Sequence, residues 1–315
     1  MSTIVFYIVT SFWYLVSRLP FRVLYFFSDL MYYLVFYVVR YRRKVVHKNL
    51  VNSFPEKSES EIKEIEHKFY HRLCDYFVET MKLYGMSEEK VCKRLQFTGL
   101  DKVHEVLERG QSIVLYFSHT FNWEYAVSLP LHIKHDNLAI AYIYHPLRNK
   151  RFDEFFKKIR CQYKAENVAM KVTLRHVVQY QKQKKQFLLG TMADQSPKWE
   201  AIHHWLNFFN QDTPVFTGSE KIAAKTGCAV FFLRMERVRR SKYTAEFVHM
   251  TDNAAELPEM ELTNQYFRLL EDCIKEHPES WLWTHDRWKR TREGLKQREE
   301  RLAKEREQKQ KEKEQ

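Results

Sequence analysis

Glycine is scarce, at 7 of 315 residues, and proline, at 8, is little commoner. So few glycines argue against a glycine-rich phosphate loop and against most glycine-dependent repeat architectures. No internal repeat is found. Cysteine is sparse too. Cys74, Cys92, Cys161, Cys228 and Cys273 are odd in number and widely spaced, with no C-x-x-C pair and no metal-finger spacing. They read as mostly buried, reduced thiols, and none has a local context that marks a nucleophile. His119 and the adjacent His203 and His204 make no H-E-x-x-H pattern, so no metal is expected. Charge is missing from the start of the chain, where the first charged residue is Arg18.

The residues that are plentiful narrow the class further. A length of 315 residues is ample for a sizeable core. With 44% hydrophobic and 29% charged residues, the chain is not wholly disordered, collagenous or many-span. Lysine and arginine total 52 against 40 aspartates and glutamates, a formal net charge of +12. That excess suggests an anionic partner: nucleic acid, a lipid headgroup surface or an acidic carrier. The basic residues are dispersed among apolar anchors and no nucleic-acid recognition motif appears, which disfavours nucleic acid.

Residues 4–17 are apolar and aromatic, LMYYLVFYVV occupies 30–39, and RYRRK closes the segment at 40–44. A signal peptide carries its positive charges before its apolar run; here they come after it. Two readings stay open. One is an aromatic-rich helix or bent pair lying in the membrane interface. The other is a true span built on 4–17 or 23–39. The basic flank predicts a cytoplasmic location for the chain beyond residue 44. The expected organisation is a membrane-anchoring or interfacial segment at 1–44, an α/β domain with a helical N-terminal part at 45–288, and a charged, solvated tail at 289–315.

Within the domain, 45–95 is expected to be helical, with a capping box at Ser58 and Glu61. Strand patterns at 111–119, 137–146, 186–194 and CAVFFLRMERV alternate with helical patterns, and YTAEFVHM fits beside the last of these. The rhythm predicts an α/β fold: a mostly parallel central sheet with flanking helices and some antiparallel extension.

The chemistry concentrates at His119, at the carboxyl end of the 113–117 strand, where α/β sheets bind ligands. Glu124 comes five residues later in HTFNWE, and a strand end leading into a helix turn predicts its carboxylate on one ring nitrogen. A base with an orienting acid, and no serine or cysteine nearby, points to direct attack by a substrate hydroxyl, as in acyl transfer. Arg148, Lys150 and Arg151 cluster beyond another strand end and suit phosphate or phosphopantetheine contacts. Asp194 and Gln195 end a third strand and can order the site by hydrogen bonding. Thr217 and Gly218 precede a helix whose start can hold an anion. Trp283, His285, Arg287, Trp288 and Lys289 mix aromatics with cations, as an interface-facing surface would.

Over roughly 5–294 the chain resembles the HtrB-like lipid A biosynthesis acyltransferases, within the wider H-x4-D/E glycerolipid acyltransferase group. The resemblance rests on RYRRKVVHKNL, HTFNWE, YHPLRNKRFDEFF, MADQS, FFNQDTPVFTGSEKIAAKTG and WLWTHDRWKRTREG, in that order. Lys150 stands where that family often has proline, and Asn210 where it usually has glycine. The resemblance implies a glycerolipid-acyltransferase-like fold, with His119 as base and Glu124 as its acidic partner. It implies substrate-binding roles for Arg148, Asn149, Arg151, Asp153, Asp194, Gln195 and Arg287. The implied reaction moves a fatty acyl chain from an acyl carrier protein to a lipid A precursor hydroxyl at the cytoplasmic face of the bacterial inner membrane. For a reaction of that class no bound cofactor is expected. Two alternatives remain: an acyltransferase for another glycerophospholipid or aminolipid, and an inactive membrane-binding module of the same fold.

Overall fold

In the computed structural model, residues 3–314 are described; 1–2 and 315, the extremes of the anchoring segment and of the tail, lie outside the described residues. Helices α1 (Thr3–Arg18) and α2 (Phe21–Tyr33) are joined at Pro20, and α2 runs on as a π-helical turn, Leu34–Val38. After α3 (Arg43–Ser53) comes the long α4 (Glu59–Leu83). Its start is the expected capping box: the Ser58 hydroxyl accepts from the Glu61 N–H while the Glu61 carboxylate accepts from the Ser58 N–H. A short α5 (Glu88–Cys92) leads into β1 (Leu95–Thr98) and α6 (Leu100–Glu108).

The alternation then proceeds through β2 (Ile113–Phe117), a 3-10 helix (Trp123–Leu131), β3 (Leu138–Tyr144), α7 (Lys150–Cys161), β4 (Glu166–Ala169), α8 (Thr173–Lys182) and β5 (Gln186–Met192). A hairpin of β6 (His204–Phe208) and β7 (Gln211–Val215) precedes α9 (Gly218–Thr226), β8 (Ala229–Arg239), β9 (Lys242–Thr251), α10 (Glu261–Glu276) and α11 (Arg292–Glu314). Seven strands form one sheet in the order β1-β9-β8-β2-β5-β3-β4. Within it only β8 and β9 pair antiparallel. This is the mixed, mostly parallel α/β architecture expected from the alternation.

The sheet is buried on both faces. On β2, Val114 and Tyr116 enter one apolar cluster, while Ile113, Leu115 and Phe117 enter the other. That two-sided burial is why β2 reads as a continuous apolar run instead of an alternating one. The β6–β7 connection, Phe209–Asn210, has positive φ at both residues (52° and 56°), as the commonest two-residue hairpin turn demands. Asparagine tolerates this region better than most residues, which explains how Asn210 can stand where glycine is usual.

Candidate active site

Parallel pairing of β2 with β5 sets Phe117 beside Met192. His119 lies two residues past the first and Asp194 two residues past the second, so both leave the sheet at its carboxyl edge, side by side. The His119 Nδ1 is 2.8 Å from Asp194 Oδ1, and the His119 backbone N–H donates to Oδ2 at 2.9 Å. Trp281 Nε1 donates to the same Oδ2 at 2.8 Å. Burial raises the Asp194 pKa, but the electrostatic attraction of His119 and these donors outweigh it and hold the carboxyl at about 2. The second ring nitrogen of His119 faces the side-chain amide of Gln195 at 3.2 Å. An amide N–H there matches a ring protonated on Nδ1, with a lone pair on Nε2.

The carboxylate on His119 is therefore Asp194, not the expected Glu124. Phe121 adopts φ +51° and the 3-10 helix starts at Trp123, so Trp123 meets the His119 ring edge-on while Glu124 turns toward α7. There its two oxygens accept from Arg160 Nη2 at 2.6 Å and Nε at 3.0 Å. Arg160, missed in the sequence, is partly exposed. Burial lowers its pKa, but Glu124 outweighs that and raises it. The loop between them is anchored by Asn122, whose amide donates to the fully buried Glu79 at 2.9 Å. The other Glu79 oxygen accepts from Tyr25 on α2 at 2.6 Å and from the Ser241 N–H at 3.1 Å. Burial raises the Glu79 pKa, against these donors.

The remaining candidates divide. Asn149 caps α7, accepting from the Arg151 and Phe152 N–H groups. Asp153 accepts from the Leu147 N–H at 2.8 Å and pairs with Lys157 at 3.0 Å, which shapes the 145–149 loop. On that frame Arg148, Lys150 and Arg151 are exposed, and no ion pair engages them among the described residues. Thr217 is buried at the head of α9, where Ser219 bonds Thr191 of β5 at 2.8 Å.

Arg287 departs from its expected place on a substrate-facing surface. It is 0% exposed and donates to the Pro214 carbonyl at 2.8 Å. The β6–β7 hairpin covers it, further pinned by Trp288 donating to Thr213 at 2.8 Å. Burial lowers its pKa to about 10 against the pull of Asp194 and Tyr266. Trp283 is also core rather than interface. His285 is an acceptor: its Nε2 takes the Ser196 N–H at 3.0 Å. Burial, with Lys289 and Arg287 nearby, drives its pKa to about 4.

One sheet edge thus holds an oriented imidazole, an acid–guanidinium pair and a free basic loop, and this arrangement can deprotonate a hydroxyl beside anionic groups. Similarity to known proteins points the same way. Across 286 residues, covering 90% of each chain, the sequence is 21% identical to the lipid A biosynthesis lauroyltransferase of Escherichia coli (strain K12). The family model for bacterial lipid A biosynthesis acyltransferases matches residues 1–290, so the chain, from its apolar N-terminus to the start of its charged tail, belongs to that family of acyltransferases.

Proposed function

We propose that this protein transfers a fatty acyl chain from an acyl carrier protein thioester to a hydroxyl of a lipid A precursor, at the cytoplasmic face of the inner membrane. The observation that carries the reading is the His119–Asp194 pair, whose 2.8 Å contact leaves Nε2 as the basic nitrogen. In this reading the substrate hydroxyl displaces Gln195 from Nε2. The ring takes the hydroxyl proton as the oxygen attacks the thioester carbonyl. Arg160, held by the HTFNWE motif through Glu124, offers positive charge to the tetrahedral oxyanion. The C–S bond then breaks, and the imidazolium returns its proton to the departing thiolate. Asp194 keeps the ring in the productive tautomer throughout. The exposed cations Arg148, Lys150 and Arg151 suit the phosphates of the acceptor or of the donor's phosphopantetheine arm.

The test uses purified protein, a long-chain acyl carrier thioester and an under-acylated lipid A precursor, with the product read by mass spectrometry. His119→Ala should fold, bind membranes and lose transfer by at least about 10²-fold, the lower end of what a general base contributes. A near-normal rate in that variant would overturn the reading. Mass spectrometry of lipid A from cells with and without the gene tests the acceptor, since an unchanged acyl pattern would redirect it to another lipid.

A further inference from the structure

Helix α2 and its π-helical turn form the one stretch among the described residues, Phe21–Val38, long and apolar enough to cross a membrane. Yet it is fastened to α4 along its whole length. The Tyr25 hydroxyl donates to Glu79, and the Ser28 hydroxyl donates to Asp75 at 2.7 Å. Tyr32 stacks on His71 with ring centroids 3.5 Å apart, and Phe36 packs on His67 at 4.5 Å. Each step of three or four residues up α2 is matched by a like step down α4, so the two helices run antiparallel at one depth. Asp29 is also gripped by Arg240 from the β8–β9 turn at 2.5 Å. Helix α1 is docked as well, with Phe6 against Phe152 and Trp13 against Phe155 and Phe156 of α7.

This docking sets a physical condition. If α2 crossed the bilayer, α4 would accompany it into hydrocarbon. The stretch of α4 beside it carries Asp75 and Glu79, and near its other end the Glu64–Lys68 pair, whose side chains are 63% and 57% exposed. The Glu64–Lys68 charges would then face lipid, and buried Asp75 would carry its ion-pair partners Arg237 and Arg240 in with it, both strongly disfavoured in a bilayer core. The outward sides of α1 and α2 are apolar: Ile8, Phe12, Leu15, Phe26, Leu30 and Leu34 are each more than half exposed. Exposed cations stand beside it, Arg18 and Arg22 at the bend and Arg40 and Lys44 beyond the π turn. An apolar face bordered by arginine and lysine fits the boundary between acyl chains and anionic headgroups.

We propose that α1 and α2 do not span the membrane but lie along its surface, as a monotopic platform seated in an anionic phospholipid leaflet. Glu79 makes this platform part of the catalytic unit. One of its oxygens holds Tyr25 of the platform and the other holds Asn122 of the HTFNWE loop. His119 is thereby kept at a set height above the lipid. The proposal rests on the membrane association in the proposed function, but its test reads position rather than turnover.

The experiment uses the full chain with Cys161→Ser, and fluorophores on Phe26→Cys, Leu30→Cys and Leu34→Cys, one at a time. All three sites lie on the outward face, so the packing on α4 is untouched. The variants are mixed with vesicles of phosphatidylglycerol and phosphatidylethanolamine that carry bromine at graded acyl depths. The three labels should report one shallow depth, roughly 5–10 Å below the headgroups. An N-terminal tag should stay open to protease added on the same side as α11. A Leu30 label at the midplane, with Phe26 and Leu34 labels on either side of it and the tag protected, would overturn the proposal. So would labels that remain unquenched on every vesicle. Acyl transfer is assayed in parallel in detergent, so a failed depth test and a failed reaction are told apart.

Discussion

Replacing Asp194 with asparagine tests the core of the site with one atom changed. Oδ2 of Asp194 accepts two donors, the His119 backbone N–H at 2.9 Å and Trp281 Nε1 at 2.8 Å. An asparagine must keep its carbonyl oxygen on that side, because turning its NH2 there would set donors against donors. Its NH2 is then forced onto His119 Nδ1, where Oδ1 now sits at 2.8 Å. Nδ1 must become the acceptor, so the neutral ring carries its proton on Nε2. The nitrogen meant to receive the hydroxyl proton is thus already occupied. Loss of general-base catalysis costs about 10²–10⁴-fold, so a fall near 10³ in kcat is expected, or about 4 kcal/mol in the barrier. The fold should survive, since two of the three bonds persist. The assay is steady-state transfer from an acyl thioester, with circular dichroism to confirm folding and KM expected to change little. A folded Asp194→Asn protein within threefold of the wild-type kcat would refute the tautomer argument.

Further consequences concern stability. Glu124→Ala removes the partner of Arg160, a pair in which Glu124 is 5% exposed, and should lower unfolding stability by about 2–3 kcal/mol in urea titrations. Glu124→Gln, which keeps one acceptor, should lose less. Gly190 sits where a Cβ would approach Tyr142 Cδ1 to 2.5 Å and Phe117 Cε1 to 3.2 Å. Because the Tyr142 hydroxyl is tied to the Ala126 carbonyl, the ring cannot retreat freely, and Gly190→Ala should cost about 1–3 kcal/mol, seen as a lower Tm. His285 titrates at 6.5 when unfolded but about 4 in the folded chain. The unfolded chain therefore binds the extra proton first. The stability this neutral ring contributes is present above about pH 6.5 and disappears toward pH 4, a loss on the order of 2–3 kcal/mol. His285→Gln, whose amide oxygen can still accept the Ser196 N–H, should flatten that acid limb in denaturation midpoints measured between about pH 7 and 4.5.

Much of this architecture was legible in the sequence because its signals are local. The apolar run at 113–117, the capping box at Ser58 and Glu61, and Gly227 closing α9 with φ +60° each depend on neighbours a few residues away. Two elements were hidden. β4 (ENVA) is a four-residue edge strand without a clear alternation. The β6–β7 hairpin turns on Phe209–Asn210, which lacks the Asn-Gly or Asp-Gly signature.

The sequence by itself determined which histidine stands at a strand's carboxyl end, and that acids and amides come after the strands in HTFNWE and MADQS. Which acid meets the ring was decided only in three dimensions. His119 and Asp194 are 75 residues apart, and the parallel register of β2 on β5 alone brings them together. Glu124, near in sequence, is turned away by the loop and taken by Arg160. Arg287 reads as a surface cation until the hairpin closes over it. Spacing along a chain limits what side chains five residues apart can do; strand register and layer packing choose among partners that no local spacing relates.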